Sequence, residues 1–140
     1  RNDRGSAATL SISLDADDTR ALLRDAARAY GLGPHEVLVT ALVQALARWT
    51  ADDAAWIDLE GHGREGLFDD LDLSRTVGWF TALYPVRLAV PGGDDPAEAL
   101  IAVKEQLRAV PRHGVGFGVL RHLVGDATLP APRPCENART

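Results

Sequence analysis

Two acids, an imidazole and a guanidinium crowd around two glycines in the hexapeptide Glu60-Gly61-His62-Gly63-Arg64-Glu65. Carboxylates and imidazoles are the side chains best suited to moving protons near neutral pH. Glycine beside them opens backbone conformations closed to other residues and lets a ligand approach the main chain. The same string also suits a turn that carries solvated charges, and from the residues alone both readings stand. Glu60 is the better candidate for proton transfer. Ahead of it Ala55, Ile57 and Leu59 alternate with Trp56, Asp58 and Glu60, the period of a half-buried strand. Such a strand delivers Glu60 to a cleft at its end, where partial burial equips a carboxyl for acid/base work. It still needs a partner to complete a cycle. His62 has no histidine three or four residues on, so no metal is implied. Arg64 is as well placed to hold Asp58 or Asp72 as to touch a substrate.

Other chemistry-bearing patterns are weaker. Gly114-x-Gly116-x-Gly118 follows a helical pattern rather than a strand and lacks the Lys-Ser/Thr of a phosphate loop. No Gly-x-Ser-x-Gly elbow is present, and Ser74 has no clear base, which disfavours a serine hydrolase. Trp79, Phe80 and Tyr84 read most simply as core aromatics. Cys135 is the only cysteine, so no internal disulfide forms, and no Cys/His spacing suggests structural zinc.

The elements that must position these residues follow from periodicity. Residues 9–14 alternate Leu10, Ile12 and Leu14 with Thr9, Ser11 and Ser13, predicting an edge or one-sided strand. Capped by Asp15 or Asp17, a helix carrying Leu22, Leu23, Ala26, Ala27 and Tyr30 runs until Gly31 and Gly33. Pro34 then opens a second helix, apolar almost all round through Leu38, Val39, Leu42, Val43 and Leu46, and so expected to be buried on several sides. Past the hexapeptide an acidic stretch re-enters the core at Trp79 and Phe80. A strand over 83–90 shares Tyr84, Val86, Leu88 and Val90 on one face, with Pro85 arguing for an edge or a bulge. Asp95-Pro96-Ala97-Glu98 opens a helix bearing Leu100, Val103, Leu107 and Val110. Pro111 starts a glycine loop that becomes a short helix through Leu123. The fold expected is α/β, a mixed-sheet two-layer sandwich with long functional connections.

Composition bounds the rest. The chain has 140 residues, 46% of them hydrophobic, enough for one domain with a real core. A net charge of -5 gives no general attraction to nucleic acid or to an anionic membrane. No run reaches the roughly 20 apolar residues of a membrane span. A cytoplasmic setting is the expectation. The absence of methionine and the polar opening Arg1-Asn2-Asp3-Arg4-Gly5-Ser6 suggest a piece of a longer polypeptide.

Three segments together resemble consecutive core motifs of the epimerization domains of nonribosomal peptide synthetases. They are Asp58 to Glu65, then Asp72-Leu73-Ser74-Arg75-Thr76-Val77-Gly78-Trp79-Phe80-Thr81 with Tyr84-Pro85-Val86-Arg87-Leu88, then Pro111 to Leu120. Those domains belong to the condensation superfamily, with a chloramphenicol-acetyltransferase-like fold of two lobes around a tunnel. Gly61-His62-Gly63 and Gly78-Trp79-Phe80-Thr81 favour the epimerization branch over ordinary condensation domains, which usually carry Val-Gly-x-Phe-x-Asn.

The resemblance implies cofactor-free inversion at the α-carbon of an aminoacyl or peptidyl thioester, presented on the phosphopantetheine arm of a peptidyl carrier protein. It makes Glu60 one acid/base group, with His62, Arg64, Asp72, Arg75, Trp79 and Tyr84 around the substrate. The other acid/base group is the second histidine of an HHxxxDG motif in the amino-terminal lobe, which this chain lacks: His35, His62, His113 and His122 do not show the pattern. The Asn-Tyr-containing strand that closes the family's motifs is also missing, and His35-Glu36-Val37-Leu38 departs from the usual Asp-Leu-Leu-Leu. The organisation expected is a flexible start over 1–8, the carboxy-terminal lobe over 9–125, and an ill-ordered or truncated tail over 126–140. Such a lobe, inactive alone, exposes apolar surface and self-associates. Two rivals follow: a condensation domain in which Glu60 is structural, and a non-catalytic lobe that docks carrier protein.

Overall fold

Alternating side chains place Ala55, Ile57 and Leu59 on one face of β1 (Ala54–Gly61), and Val86 and Leu88 on the matching face of β2 (Ala82–Ala89). The two strands pair antiparallel, with Leu59 opposite Tyr84 and Glu60 opposite Leu83. The computed structural model describes residues 8–66, 70, 72–91 and 95–125. Among these residues the sheet has two strands. The expected mixed sheet is therefore corrected to a single antiparallel pair covered by helices.

The amino-terminal helix is continuous. Asp15 accepts from the amides of Asp17 and Asp18 and opens α1 (Ala16–Arg20); a π-helical stretch (Ala21–Asp25) leads into α2 (Ala26–Tyr30). The predicted strand over 9–14 is absent, with Leu10 and Ile12 91% and 87% exposed. Alternation assigns faces but supplies no hydrogen-bonding partner, and none runs alongside among the described residues.

Two further helices cover the apolar face of the sheet. Gly33 precedes α3 (Pro34–Thr50), where Glu36 reaches back to accept from the Gly33 amide at 2.9 Å. Asp95 caps α4 (Pro96–Arg108) by accepting from the Ala97 amide at 2.9 Å, as the sequence leads one to expect. Gly31, at φ 60°, ends α2, and Lys104 of α4, the only lysine, donates to the Tyr30 carbonyl at 2.9 Å. Val39 and Val43 of α3, Val103 of α4, Leu59, Val86 and Leu88 form one buried cluster. Each such side chain stabilises the fold by about 1.5–3 kcal/mol through burial. Only one stripe of α3 is used: Leu38, Leu42 and Trp49 are exposed, so the expected many-sided burial of this helix is not found. A sheet of two strands is too narrow to cover more of the cylinder.

Two features blunt the free edge of β2. Pro85 shares the alternation of Ala89, four residues on, whose amide and carbonyl face the open edge, so the amide that proline lacks is one that would face outward. Farther along, the Gln106 side chain imitates a third strand, accepting from the Ala89 amide at 2.8 Å and donating to the Ala89 carbonyl at 2.7 Å. The short helix expected beyond Pro111 is present: a 3-10 turn (Pro111–Gly114) enters α5 (Val115–Val119), which ends in a π-helical turn (Leu120–Val124). The tail expected over 126–140, and residues 1–7, lie outside the described residues. Replacing Gln106 with Leu strands both Ala89 groups and should cost about 1–3 kcal/mol, read as a lower urea midpoint with an unchanged slope.

Candidate functional site

Because Leu59 faces the core, Glu60 faces away from it, on the side of β1 that also carries Trp56 and Asp58; all three are exposed. The partial burial expected for Glu60 is not found: it is exposed and is not among the residues that line the hollow nearby. Its register partner Leu83 lines a hollow of about 460 Å³, shared with Asp58, Phe80, Tyr84, Phe117 and Arg121. Glu60 thus stands in the open beside a concave, largely apolar surface.

Past Gly61 the chain makes a tight excursion against the segment leading into β2. Gly63 sits at φ 65°, and a Cβ there would lie 1.5 Å from the Phe80 carbonyl oxygen, so no other residue fits without moving that strand entry. Arg64 follows, its guanidinium 4.4 Å from the centre of the Phe80 ring and its Nη1 donating to the Leu73 carbonyl at 2.7 Å. These contacts replace the carboxylate partner, Asp58 or Asp72, considered for Arg64. The Arg64 amide donates to His62 Nδ1 at 3.0 Å, which leaves Nε2 of the neutral ring to carry the proton. That nitrogen lies 3.4 Å from Glu65 Oε1.

Glu65 has a second histidine: His113 Nε2 is 3.9 Å from Oε2. His113 belongs to a run of three left-handed residues, Arg112, His113 and Gly114, at φ 47°, 51° and 78°. For the two that are not glycine this geometry costs about 1–2 kcal/mol each. Gly114 is required as well, since a Cβ there would lie 2.0 Å from the Tyr84 ring. Burial, and then the charge of Glu65, pushes the Tyr84 hydroxyl above its ordinary value.

The remaining predicted residues separate. Asp72 caps its own turn, accepting from the Ser74 amide at 2.9 Å, and hydrogen bonds from that amide and then the Ser74 side chain hold its carboxyl below the usual range. With Arg64, Glu65 and Leu73 it lines a second hollow of about 280 Å³. Arg75 is exposed and lines neither hollow. Trp79 is 91% exposed and Phe80 is half-buried under Arg64 at the hollow, so of the expected core aromatics only Tyr84 packs against the buried cluster. Gly78 makes room for Phe80, whose ring folds back to within 2.8 Å of where a Cβ of residue 78 would be. Sequence reasoning misses Glu65 and His113 as site residues. Both lie in motifs that stand out in the chain, but nothing in the chain order shows that 65 and 113 meet.

No group of three or more His, Cys, Asp or Glu among the described residues is arranged to hold a metal ion. Nor is any helix among them long and apolar enough to cross a membrane. What the site offers chemically is an open carboxylate, Glu60, above a loop fastened by a second carboxylate, Glu65.

The sequence model of the condensation domain matches residues 1–128. The chain belongs to the condensation-domain family. A linear gramicidin synthase of Brevibacillus parabrevis is 54% identical over 118 residues, covering 84% of this chain and 2% of that protein. Chondramide synthase of Chondromyces crocatus is 49% identical over 135 residues, covering 94% of this chain and 3% of its own length. Among solved structures, the epimerization domain from the third module of tyrocidine synthetase B superposes with a TM-score of 0.74 at 36% identity, over 91% of this chain and 28% of that one. The first condensation domain of the calcium-dependent antibiotic synthetase gives 0.60 at 25% identity, over 76% of this chain and 24% of that one. The chain therefore spans a small part of the proteins and about a quarter of the solved chains that it matches.

Replacing Glu65 with Gln removes a negative charge beside Tyr84. In a Tyr30→Phe background the tyrosinate absorbance of Tyr84 should then develop at lower pH. Because the raised Tyr84 value stabilises the fold at pH below the ordinary tyrosine range and is lost as pH rises through it, the same variant should also lose less stability in alkali.

Asp72 offers the acid counterpart. Its lowered value adds stability above the ordinary carboxylate range that is lost as pH falls through the folded value, and Ser74→Ala should move its titration, followed by carboxyl carbon NMR, part of the way up.

Proposed function

We propose that this chain is part of a nonribosomal peptide synthetase domain that inverts the α-carbon of a carrier-bound aminoacyl or peptidyl thioester. The observation that carries the reading is the placement of Glu60, held outward at the end of β1 beside the hollow lined by its partner Leu83. Greater likeness to an epimerization domain than to a condensation domain supports it, at 36% against 25% identity. In this reading the thioester acidifies the Cα–H. Glu60 takes that proton or returns one, and a group from the facing lobe acts on the opposite side of the planar carbanion, so that one proton leaves and one arrives. The histidine of an HHxxxDG motif is the facing group that the resemblance implies. Asp58, Tyr84 and Phe117 line the space in which the substrate arm would lie. The partner is a peptidyl carrier protein, and the phosphopantetheine thioester it bears is substrate rather than a resident cofactor.

A second reading rests on the match to the condensation domain at a TM-score of 0.60. There the domain joins two carrier-bound substrates through an amide bond, and Glu60 is structural.

Proton exchange at the α-carbon separates the two. With a carrier-bound L-aminoacyl thioester in deuterated buffer, the complete domain should wash deuterium into the α-position. Glu60→Gln should slow that washout by about 100-fold or more. Exchange at the parental rate in Glu60→Gln, with amide formation detected instead, would decide for condensation.

A further inference from the structure

We propose that Glu65 is a positioning residue whose carboxylate clasps His62 and His113, fixing the loop that follows Glu60 against the turn at Pro111–Gly114. The assignment of a working role to Glu60 is the reading given above, and this inference rests on it. The clasp itself rests on geometry.

Among the described residues Glu65 is the carboxylate that meets both loops. Its side chain is only 22% exposed although it lies in an irregular segment, and its two oxygens address different histidines, at 3.4 and 3.9 Å. His62 presents Nε2 to it because the Arg64 amide occupies Nδ1. On the other side, His113 is a non-glycine residue in left-handed conformation, next to Arg112 in the same state. Backbone of that kind persists where its surroundings hold it. The His113 amide donates to the Val110 carbonyl at 3.3 Å, and the Glu65 contact ties its side chain from across the gap.

The connection to Glu60 runs through the close approach of Gly61 to the turn. A Cβ built on Gly61 lies 3.5 Å from the His113 carbonyl oxygen and 3.9 Å from the Tyr84 ring, and that ring also backs Gly114. Gly61 is the residue after Glu60. A shift of the His113 turn would therefore displace the last residue of β1 and re-aim the neighbouring carboxylate. Misplacement of a reacting group by about 1 Å can cost 100-fold in rate.

The deciding measurement is amide hydrogen exchange on the 140-residue chain, wild type against Glu65→Ala, His113→Ala and the double variant. Either single substitution should raise exchange in both segments, 61–66 and 112–115, and the double variant should add little beyond either single. Changes confined to the substituted segment, or singles that sum, would overturn the clasp. Far-UV circular dichroism verifies folding, and Glu65→Gln keeps the measurement informative should Glu65→Ala not fold. A glutamine keeps the reach and one carbonyl oxygen to face a ring nitrogen, so its effect should be intermediate; an effect as large as that of Ala in a folded protein counts against the clasp.

A second arm uses the complete domain. Glu65→Ala should lower kcat for α-proton exchange by roughly 10- to 100-fold with KM for the carrier-bound thioester unchanged. Loss of exchange in Glu60→Gln with parental kcat in Glu65→Ala sinks the positioning role and leaves the functional reading intact. Parental exchange in Glu60→Gln sinks the functional reading, and with it the positioning role.

Discussion

Leu59 points inward and Glu60 outward, and the register that sets Leu59 opposite Tyr84 and Glu60 opposite Leu83 holds both at once. Side chains on a strand alternate with a period of two, so a slip of one residue would bury the carboxylate and expose the leucine. Such a slip is costly because Leu59, Val86 and Leu88 are locked against Val43 and Val103 on the helices behind them. Among the described residues no third strand enforces the alignment, and the apolar face carries that duty alone. Gln106, which occupies both backbone groups of Ala89, adds a fixed point near the far end of the pair.

Beyond the strands, position is set by close approaches of backbone to neighbouring groups. Gly63 admits the Phe80 carbonyl, and Gly114 admits the Tyr84 ring, each into space that a methyl group would fill. Phe80 lies just ahead of β2 and Tyr84 lies within it, so both loops are referred to one strand. The hexapeptide and the Pro111–Gly114 turn, about 50 residues apart in the chain, therefore share a single rigid reference. Glu65 and the two histidines bridge what remains between them. The Glu65 carboxylate is mostly covered while both imidazoles are open to solvent, and the contacts at 3.4 and 3.9 Å are loose, so the bridge is held as much by the surrounding backbone as by the side chains themselves.

Local signals are legible in the chain wherever they are sufficient causes. Asp95-Pro96, the Gly31 to Pro34 break and the alternation before Glu60 each specify an element without help from distant residues, and each is found. The segment over 9–14 fails for the opposite reason: its alternation is as clean as that of β1, but a strand needs a neighbour. α3 shows the same limit in helical form, since an apolar surface predicts burial only as far as other layers extend. Within the site, adjacent aromatics such as Trp79 and Phe80 have equal standing in the sequence. Their fates differ, Phe80 half-buried beside Gly78 and Arg64 and Trp79 in solvent, and both those neighbours matter only once the chain has folded. The meeting of Glu65 with His113 depends on how the last turn returns to β2, and no spacing rule encodes that.

The exposed side of the sheet gives the proposed chemistry its shape. Trp56 and Leu83 present large apolar area to solvent close to charged groups such as Asp58 and Glu60. Apolar area of that kind is a source of association energy, and a carboxylate set within it becomes useful for proton transfer once water is excluded around it. Inversion at a carbon also requires two groups on opposite sides of one plane, and a single sheet face supplies one side. Under the proposed reading the surface that covers Trp56 and Leu83 is therefore the same surface that brings the opposing acid/base group. Burial and catalytic completeness would then arrive in one docking event, which explains why the open face combines residues suited to an interface with a carboxylate suited to a reaction.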